Sequence, residues 1–563
     1  MINKLKNIFI SHEWMILVVL VFIFVLIRIP GLDSPLHQDE YKWPISVNPA
    51  LVVDIFIPHP PLGELIYKTA GHLFGFDAHF RLVPLFFGAI NLVLLYYLMR
   101  FLFGRREAIV ASFIWIFSYF SVLASLMVDT DGQVMPFFFL VALIGYFKLR
   151  DSAGKNQWFW FSFMLCGLIL GIFIKLSFLI AVGAMVADFL WSKRELLDKK
   201  TIIKYIIYGL ASLAGLFVLI ALSRFVFPFF RFEASITYWE RFFTLNRGWF
   251  QTAIQVAKVI LYSSPFLVLI PFFGFKEKFS KIRIFIFFLI FAFVFYVVLF
   301  DFSVGALDKY LQLIILPLTV LTTVVITPVT FSEDRRKKEF ILLGIVVALV
   351  LIILQSLPHY VPPLHPKTEW ISRILSLKWN FLYPFSGGSG PLGFYISFLF
   401  ITLTWVISFG VIIFAKIKSQ YKNLIIIFLI PIGLAYNGVF IGEYLFGFWN
   451  GSAPKLLTNA VEFIKDNPSI KMVTTYNDNG GNEIRDIGKY RKRLYIDPKF
   501  DINVKIQTLN MYKEHYFVLD IPRIDSGSLY QKYFNSCEII YDKVDKYISA
   551  KVYDCQRAPD IKI

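Results

Sequence analysis

The stretch GLDSPLHQDEYKW, residues 31–43, follows the first long apolar segment of the chain, and IPHPPLGELIYK, residues 57–68, comes soon after it. Asp39 and Glu40 stand side by side in the first stretch, close to aromatic residues of the kind found at membrane interfaces. Prolines on both sides of His59 stiffen the second stretch. Ionisable groups at a membrane boundary are either solvated loop residues or parts of a site, and the acid pair makes this loop a candidate site.

Composition indicates a membrane protein. Hydrophobic residues make up 57% of the 563 residues and charged residues only 17%. Apolar stretches of about 20 residues, long enough to cross a bilayer, recur along the chain. The net charge of +17 lies mainly in the short connections between these stretches, which argues against a nucleic-acid partner. No small-residue cleavage site follows the long first stretch, so we expect no cleavable signal.

The length of the apolar stretches and the charge of the connections between them predict about 13 transmembrane helices. Connections rich in Lys and Arg alternate with connections that carry few of them, so by the positive-inside rule the basic set and the N-terminus are cytoplasmic. The first loop, residues 30–80, and the C-terminal segment then lie outside a plasma (inner) membrane. The predicted helices begin near Trp14, Leu82, Ala108, Gln133, Trp158, Leu176, Ile203, Thr252, Ile284, Tyr310, Phe340, Leu392 and Asn423.

The C-terminal segment is much more polar than the rest of the chain. We therefore predict a membrane domain over residues 1–448 and an extracytoplasmic domain over residues 449–563. Short apolar runs between Gly, Asn and Pro turns predict strands there, so the outer domain is expected to be a small α/β or α+β fold. The fold class is mainly α, and the predicted strands are Lys471–Tyr476, Tyr495–Asp497 and Tyr516–Leu519.

Cysteine usage agrees with an outer location for this domain. Cys537 and Cys555 bracket the segment CEIIYDKVDKYISAKVYDC, which is typical of a hairpin that turns near residues 545–546. The two cysteines are equally far from the turn and would face each other across the strands, which predicts a disulfide in an oxidising compartment. Two free thiols are the alternative. Cys166 lies in an apolar stretch and is expected to be inert.

The second outward connection, MVDTDG at residues 127–132, carries Asp129 and Asp131. An acid here can simply cap the next helix, with Gly132 permitting the turn. Alternatively, the two carboxylates face Asp39 across a shared cavity, where they hold a divalent cation or orient an acceptor. The sequence leaves both interpretations open, and it predicts no other cofactor.

Three basic residues, Arg81, Lys175 and Lys309, stand in or beside apolar stretches. Each of them can reach the interface with its charged end, or together they can bind an anionic lipid head group and stabilise a departing phosphate. The chain has no glycine-rich phosphate loop, no Walker pattern and no dinucleotide fingerprint. A donor dissolved in the membrane needs none of these motifs.

Taken together, these motifs resemble those of the GT-C integral membrane glycosyltransferases, in particular the branch of the protein O-mannosyltransferases and the aminoarabinose transferase of lipid A. The likeness is specific in the N-terminal third of the chain and continues beyond it as topology. The residues that carry it are Asp39 and Glu40, His59–Gly63, Arg81–Leu85 with Phe87–Ala89, Asp131 before Phe137–Leu140, and Lys175.

The resemblance implies an enzyme that transfers a sugar from a polyprenyl-phosphate (or pyrophosphate) carrier to a protein, lipid or glycan acceptor. Transfer would occur on the outer face of the membrane, with inversion at the anomeric carbon. Asp39 would be the base and Glu40 its support, and membrane lipids would be further partners. The residues expected at the donor phosphate or the substrate are His59, Arg81, Asp131, Lys175 and Lys309.

Other functions fit a polytopic chain as well. A transporter or flippase for lipid-linked glycans also uses charged groups among membrane helices. Here the charges cluster at the outer boundary, and no two halves of the chain repeat. A non-catalytic membrane assembly protein is a third hypothesis, and a ligase or polymerase of lipid-linked glycans is an alternative within the enzymes.

Overall fold

The chain folds into two compact units. The first comprises Met1–Leu32, Lys42–Arg335 and Lys418–Ile427, and the second comprises Asp33–Tyr41, Arg336–Ile417 and Phe428–Ile563. The computed structural model describes residues 13–49, 57–75, 80–196, 198–240, 243, 248–275, 278–301, 307–330, 336–363, 368–385, 392–477, 479–494, 501–521 and 523–561.

The first unit is built from α-helices, because its long runs of Leu, Ile, Val and Phe must satisfy every backbone polar group internally to cross a bilayer. The α-helices described in it are Glu13–Arg28, Lys42–Val47, Pro61–Phe74, Leu82–Leu102, Arg105–Phe117, Tyr119–Leu126, Val134–Arg150, Lys155–Ile174, Leu179–Ser192, Lys199–Val226, Phe232–Glu240, Trp249–Tyr262, Pro265–Leu269, Phe279–Phe293, Leu307–Tyr310 and Ile315–Thr330.

Three of the apolar helical stretches described in it are interrupted, two at a residue with extended backbone and one before a proline. The backbone of Ser118 is extended, and the helices on its two sides meet at an angle of 64°. Pro265 starts a new helix after a bend of 105°, because proline cannot donate the backbone hydrogen bond that would continue the old one. Lys175 is also extended, with φ −162°. Irregular backbone in a membrane is tolerated where protein buries it, so these breaks are natural positions for polar side chains.

The predicted topology agrees with the helices in position, while the number of spans stays a prediction. Twelve of the 13 predicted starts fall at a helix or within a few residues of one. The start predicted near Leu392 is wrong, because the chain forms a strand at Phe394–Ser397 there and the helix begins only at Phe398. Among the described residues, nine helices are long and apolar enough to cross a membrane, or up to 11 if each bent pair is counted as one span. Two further stretches, Leu176–Ser192 and Val134–Arg150, are shorter.

The second unit combines helices with two sheets. Strands β1 (Leu382–Phe385) and β2 (Phe394–Ser397) form an antiparallel hairpin. A five-stranded sheet has the order β4-β3-β5-β7-β6. Its strands are β3 (Val473–Tyr476), β4 (Tyr490–Leu494), β5 (His515–Leu519), β6 (Glu538–Asp545) and β7 (Ile548–Asp554). The helices are Lys337–Gln355, Thr368–Leu375, Phe398–Ile417, Lys422–Phe446, Ala453–Asp466, Gly481–Asp486, Ile502–Met511 and Leu529–Phe534.

The five-stranded sheet is mixed, and its presence confirms the predicted small α/β or α+β fold in the C-terminal part of the chain. Strand β3 pairs in parallel with β4 and with β5, and β7 is antiparallel to β5 and β6. Alternate side chains of β5 enter two different hydrophobic clusters, Phe517 on one face and Tyr516 on the other, so helices cover both faces. The predicted strand at 495–497 lies outside the described residues. The domain boundary at 448/449 stays a prediction.

The predicted disulfide between Cys537 and Cys555 is present. The hairpin of β6 and β7 turns at residues 546–547, as the spacing of the two cysteines predicts. Lys546 takes a left-handed backbone there, with φ 55°. The bond lies beside the sheet cluster that contains Tyr516, so it closes one end of the domain.

Candidate functional site

An acid turn, residues 127–133, connects two helices of the first unit. Asp129 and Asp131 are almost fully buried in it. Neither carboxylate caps the following helix, because Gln133 occupies the N-cap position and no side-chain hydrogen bond is made there. A Cβ atom on Gly132 would lie 2.9 Å from a carbonyl oxygen of the preceding helix, so only glycine allows this close approach. The acids therefore have another role than capping.

Each acid of the turn pairs with a buried lysine from elsewhere in the first unit. The Nζ atom of Lys175 lies 2.5 Å from Oδ2 of Asp131. Lys309 forms an ion pair with Oδ2 of Asp129. We call these four residues the acid–lysine cluster. Its formal charges cancel, which is what makes the burial of four ionised groups tolerable.

Aromatic rings surround the cluster. The ring centroid of Tyr310 lies 4.6 Å from Nζ of Lys175 and 5.5 Å from Nζ of Lys309, within the range of cation–π attraction. The hydroxyl of Tyr67 donates a hydrogen bond of 3.1 Å to the backbone oxygen of Asp129. The Tyr310 ring therefore contacts both ammonium groups, and Tyr67 fixes the turn that carries the acids.

The two carboxylates of the cluster differ in their partners, and among the described residues Oδ1 of Asp131 accepts no hydrogen bond. Burial by itself raises the pKa of Asp129, but the ammonium groups of Lys309 and Lys175 outweigh it and hold the pKa well below its usual range. Oδ1 of Asp129 accepts a hydrogen bond from the backbone N–H of Thr130 at 2.6 Å. Oδ1 of Asp131 is buried and accepts none from the residues that the structure describes. A buried acceptor of this kind is costly, so it is a natural place for a substrate donor group.

His59 stands beside these residues in a stiff turn. Its ring stacks on that of Trp43, with 6.4 Å between ring centroids, and the ring of Trp43 lies 4.6 Å from that of Tyr67. The indole N–H of Trp239 donates a 2.8 Å hydrogen bond to the backbone oxygen of Pro58. Burial and the positive charge of Lys175 lower the pKa of His59 to about 3, so the imidazole is neutral near pH 7. At neutral pH it can therefore donate one hydrogen bond to a phosphate but carries no charge.

Arg81 lies on the backbone next to the acid turn. Its side chain is buried, and its Nη1 donates a hydrogen bond to the carbonyl oxygen of Leu126, the last residue of the helix before the turn. The guanidinium therefore holds the end of the helix that leads into the acid turn. The phosphate contact predicted for this residue stays a prediction.

Asp39 and Glu40 belong to the second unit. They lie in a single 3₁₀ turn, Gln38–Tyr41. Glu40 is buried, and its Oε2 accepts a 3.0 Å hydrogen bond from the backbone N–H of His37. Asp39 is only partly buried. The geometry of this turn thus assigns Glu40 a holding role and leaves Asp39 as the acid with access to solvent.

Residues 58–222 match the family model of dolichyl-phosphate-mannose-protein mannosyltransferases. Over 97% of this chain, the structure superposes on 99% of the ArnT crystal structure from Cupriavidus metallidurans in the apo state, at 13% identity and a TM-score of 0.55. The chain has the GT-C glycosyltransferase fold. The ArnT structure bound to undecaprenyl phosphate matches with 14% identity and a TM-score of 0.52, covering 97% of this chain and 98% of that one. Comparison with curated protein sequences found no relative.

These matches confirm the GT-C resemblance at the level of the fold, and the family model matches one segment of the chain. The matched segment contains His59, Arg81, Asp131 and Lys175. Asp39 and Lys309 lie outside it. Asp129 lies inside, within the acid turn. Most of the acid–lysine cluster is thus part of the segment that resembles the mannosyltransferases.

Several residues at and around the acid turn are not evident from the sequence. Arg28 ends the first apolar helix and is fully buried, with its Nε 2.5 Å from the hydroxyl of Ser125 and its Nη2 3.2 Å from that of Ser121. It binds the first helix to the helix that leads into the acid turn. The available signal is a charge at the end of an apolar stretch. Nothing in the sequence pattern singles out Tyr310 or Trp43 as ring partners.

The divalent cation considered for the GT-C site stays a prediction. Among the described residues, no group of three or more His, Cys, Asp and Glu side chains is placed to hold a metal ion. Asp129 and Asp131 each already pair one oxygen with a lysine ammonium. A cation would have to compete with those lysines, so the cluster as it stands favours an anionic ligand that can share the ammonium donors.

Proposed function

We propose that the protein is an inverting glycosyltransferase that moves a sugar from a polyprenyl-phosphate carrier to an acceptor on the outer face of a plasma (inner) membrane. In this proposal the N-terminus is cytoplasmic and the C-terminal domain is extracytoplasmic. The observation that carries it is the acid–lysine cluster, because it buries two ammonium groups beside an acid with an unpartnered oxygen. The name of the matched family, with its dolichyl-phosphate-mannose donor, supports a lipid-phosphate donor.

The two lysines suit a phosphate leaving group. An ammonium carries three N–H donors, so one carboxylate oxygen does not exhaust Lys175 or Lys309. As the bond between the anomeric carbon and the phosphate oxygen breaks, negative charge grows on that oxygen, and preorganised cations stabilise it in a site with little water. A phosphate leaves without protonation, so the reaction needs no second catalytic acid. The neutral imidazole of His59 can add a hydrogen bond.

Asp39 is the proposed base. An acceptor hydroxyl attacks the anomeric carbon from the face opposite the phosphate, its proton passes to the carboxylate of Asp39, and the carrier leaves as polyprenyl phosphate. One displacement of this kind inverts the anomeric configuration. A positioned base contributes about 10²–10⁴-fold in rate. Glu40 supports Asp39 by fixing the backbone of the 3₁₀ turn.

The acceptor is proposed only as a class, a hydroxyl of a protein, a lipid or a glycan. The oxygen Oδ1 of Asp131 is the group that could orient such a hydroxyl or a hydroxyl of the transferred sugar, because it has acceptor capacity left over. Specificity for the sugar would then depend on the groups around this oxygen and the ring of Tyr310.

Transfer in proteoliposomes tests the proposal. The purified full chain is supplied with undecaprenyl-phosphate-linked radiolabelled mannose and a total membrane extract as the source of acceptors. We expect label to move into the extract and undecaprenyl phosphate to be released, and Asp39→Asn to lower both rates about 10²–10⁴-fold. Asp33→Asn is the matched control, since Asp33 is an exposed acid of the same segment. Full activity of Asp39→Asn would refute the assignment of the base.

A further inference from the structure

One residue of the C-terminal sheet domain contacts the turn that carries Asp39. The guanidinium carbon of Arg485 lies 5.3 Å from the ring centroid of Tyr41 and 4.6 Å from that of Tyr490. Tyr41 is the last residue of the 3₁₀ turn, and the segment Asp33–Tyr41 belongs to the same compact unit as the sheet domain. A planar guanidinium can stack on aromatic faces on both of its sides, which an ammonium does poorly.

The helix that carries Arg485 is packed firmly against the core of the sheet domain. Arg485 belongs to the helix Gly481–Asp486, whose residue Ile484 is fully buried. Before this helix, Gly480 has φ 70°, and a Cβ atom there would lie 2.4 Å from a side-chain carbon of Leu457. The helix therefore sits directly on the hydrophobic core of the sheet domain and cannot shift without disturbing it.

Two contacts of the turn lie on either side of Asp39. The buried carboxylate of Glu40 fixes its beginning through the backbone N–H of His37. The guanidinium of Arg485 contacts its end through the ring of Tyr41. Asp39 lies between these two points. Loss of either contact would weaken the hold on the backbone that sets the direction of the Asp39 carboxylate.

We propose that Arg485 is a positioning residue for the transfer reaction, acting through Tyr41 to hold Asp39 in its reactive orientation. The proposal rests on the proposed function, because it takes Asp39 as the base. It also gives the C-terminal domain a part in catalysis without any contact between Arg485 and the substrate. A base that is held loosely is in the right place less often, so the rate of the chemical step falls while the affinity for the lipid phosphate stays unchanged.

The test combines transfer kinetics with binding of undecaprenyl phosphate to the full-length protein. We expect Arg485→Ala to lower kcat about 5–30-fold, the factor that corresponds to a cation–π contact in a partly desolvated place. The Kd for undecaprenyl phosphate should not change. Arg485→Lys should restore part of kcat. Tyr41→Ala should lower kcat to the same extent, and the double variant Arg485→Ala/Tyr41→Ala should be no worse than either single variant.

Lys492→Ala is the matched control. Its Nζ lies 4.9 Å from the ring centroid of Tyr512, so the change removes a cation–π contact of the same domain that does not involve the turn. We expect wild-type kcat for it. Arg485→Ala at wild-type kcat, with Asp39→Asn inactive, would overturn the positioning role and leave the proposed function standing. A lower melting temperature together with lost lipid binding in Arg485→Ala would also overturn it. Full activity of Asp39→Asn would instead refute the assignment of Asp39 as the base, and absence of label transfer by the unchanged protein would refute the proposed function itself.

Discussion

The acid turn at residues 127–133 and the 3₁₀ turn Gln38–Tyr41 both carry two acids, but they are held in different ways. In the first, both carboxylates are buried and each pairs with a lysine that is distant in sequence; Lys175 and Asp131 are 44 positions apart. In the second, Glu40 is fixed by a residue three positions away, and Asp39 is only partly buried. Under the proposed function, the paired charges of the first turn serve the phosphate and the more accessible acid of the second serves proton transfer.

In the acid turn, the largest loss of stability is expected when one member of an ion pair is removed. Lys175→Ala leaves Asp131 as an uncompensated buried charge, and we expect the free energy of unfolding to fall by about 3–5 kcal/mol. Thermal unfolding in detergent measures this loss. The double variant Lys175→Ala/Asp131→Ala should recover much of it. Lys551→Ala is the control, because its pair with Asp542 is partly exposed and is expected to be worth at most about 1 kcal/mol. Equal losses for the two lysines would contradict the burial argument.

Lipid binding separates the two regions. Removing both charges of the second pair, in Lys309→Met/Asp129→Asn, avoids leaving a lone buried charge. We expect the Kd for undecaprenyl phosphate to rise about 10–100-fold, the loss of one hydrogen bond to a charged group. Asp39→Asn should leave this Kd unchanged. Titration of the lipid phosphate into the protein in nanodiscs measures both values. An unchanged Kd in the double variant would remove the phosphate role of the cluster.

Substitution of Glu40 tests the hydrogen bond that holds the 3₁₀ turn Gln38–Tyr41. Glu40→Ala removes the acceptor for the backbone N–H of His37, and the unmet donor costs about 1–3 kcal/mol. We expect transfer to fall about 10-fold, because the turn then holds Asp39 less firmly. Glu40→Gln keeps an acceptor oxygen and should lose less. If Glu40→Gln is as inactive as Asp39→Asn, then Glu40 itself takes part in the chemistry.

The smallest expected effect is a pH dependence from His59. Its pKa in the folded protein, about 3, lies below the ordinary 6.5, so between these values the unfolded chain binds more protons than the folded one. Stability should therefore fall as pH drops from about 6.5 towards 3. Because His59 is only partly buried as a residue, we expect a loss of about 1–2 kcal/mol. Unfolding measured at several pH values, with His59→Gln as the comparison, checks this. A His59→Gln variant with the same slope would assign the dependence to other groups.

Much of the architecture could be predicted from local patterns. Apolar runs and basic loops located the helices, and the spacing of Cys537 and Cys555 predicted their bond. A charged residue inside an apolar stretch must find a partner, so Lys175 could be recognised as a site candidate without any structure. Which acid it meets could not be predicted, because that depends on how helices pack across long sequence separations. For the same reason, helix capping and site formation are equally supported interpretations of Asp129 when only local sequence is considered.

By itself, the sequence determined the class of the protein, the approximate places of its helices and the residue types available for chemistry. Those properties follow from periodicity and composition, which act over a few neighbouring residues. Only the tertiary structure decided that Lys309 pairs with Asp129, that Tyr310 contacts both lysines, and that Arg485 reaches Tyr41. These contacts join positions far apart in the chain, and packing selects them because a buried charge or ring needs a complementary neighbour whatever its distance in sequence.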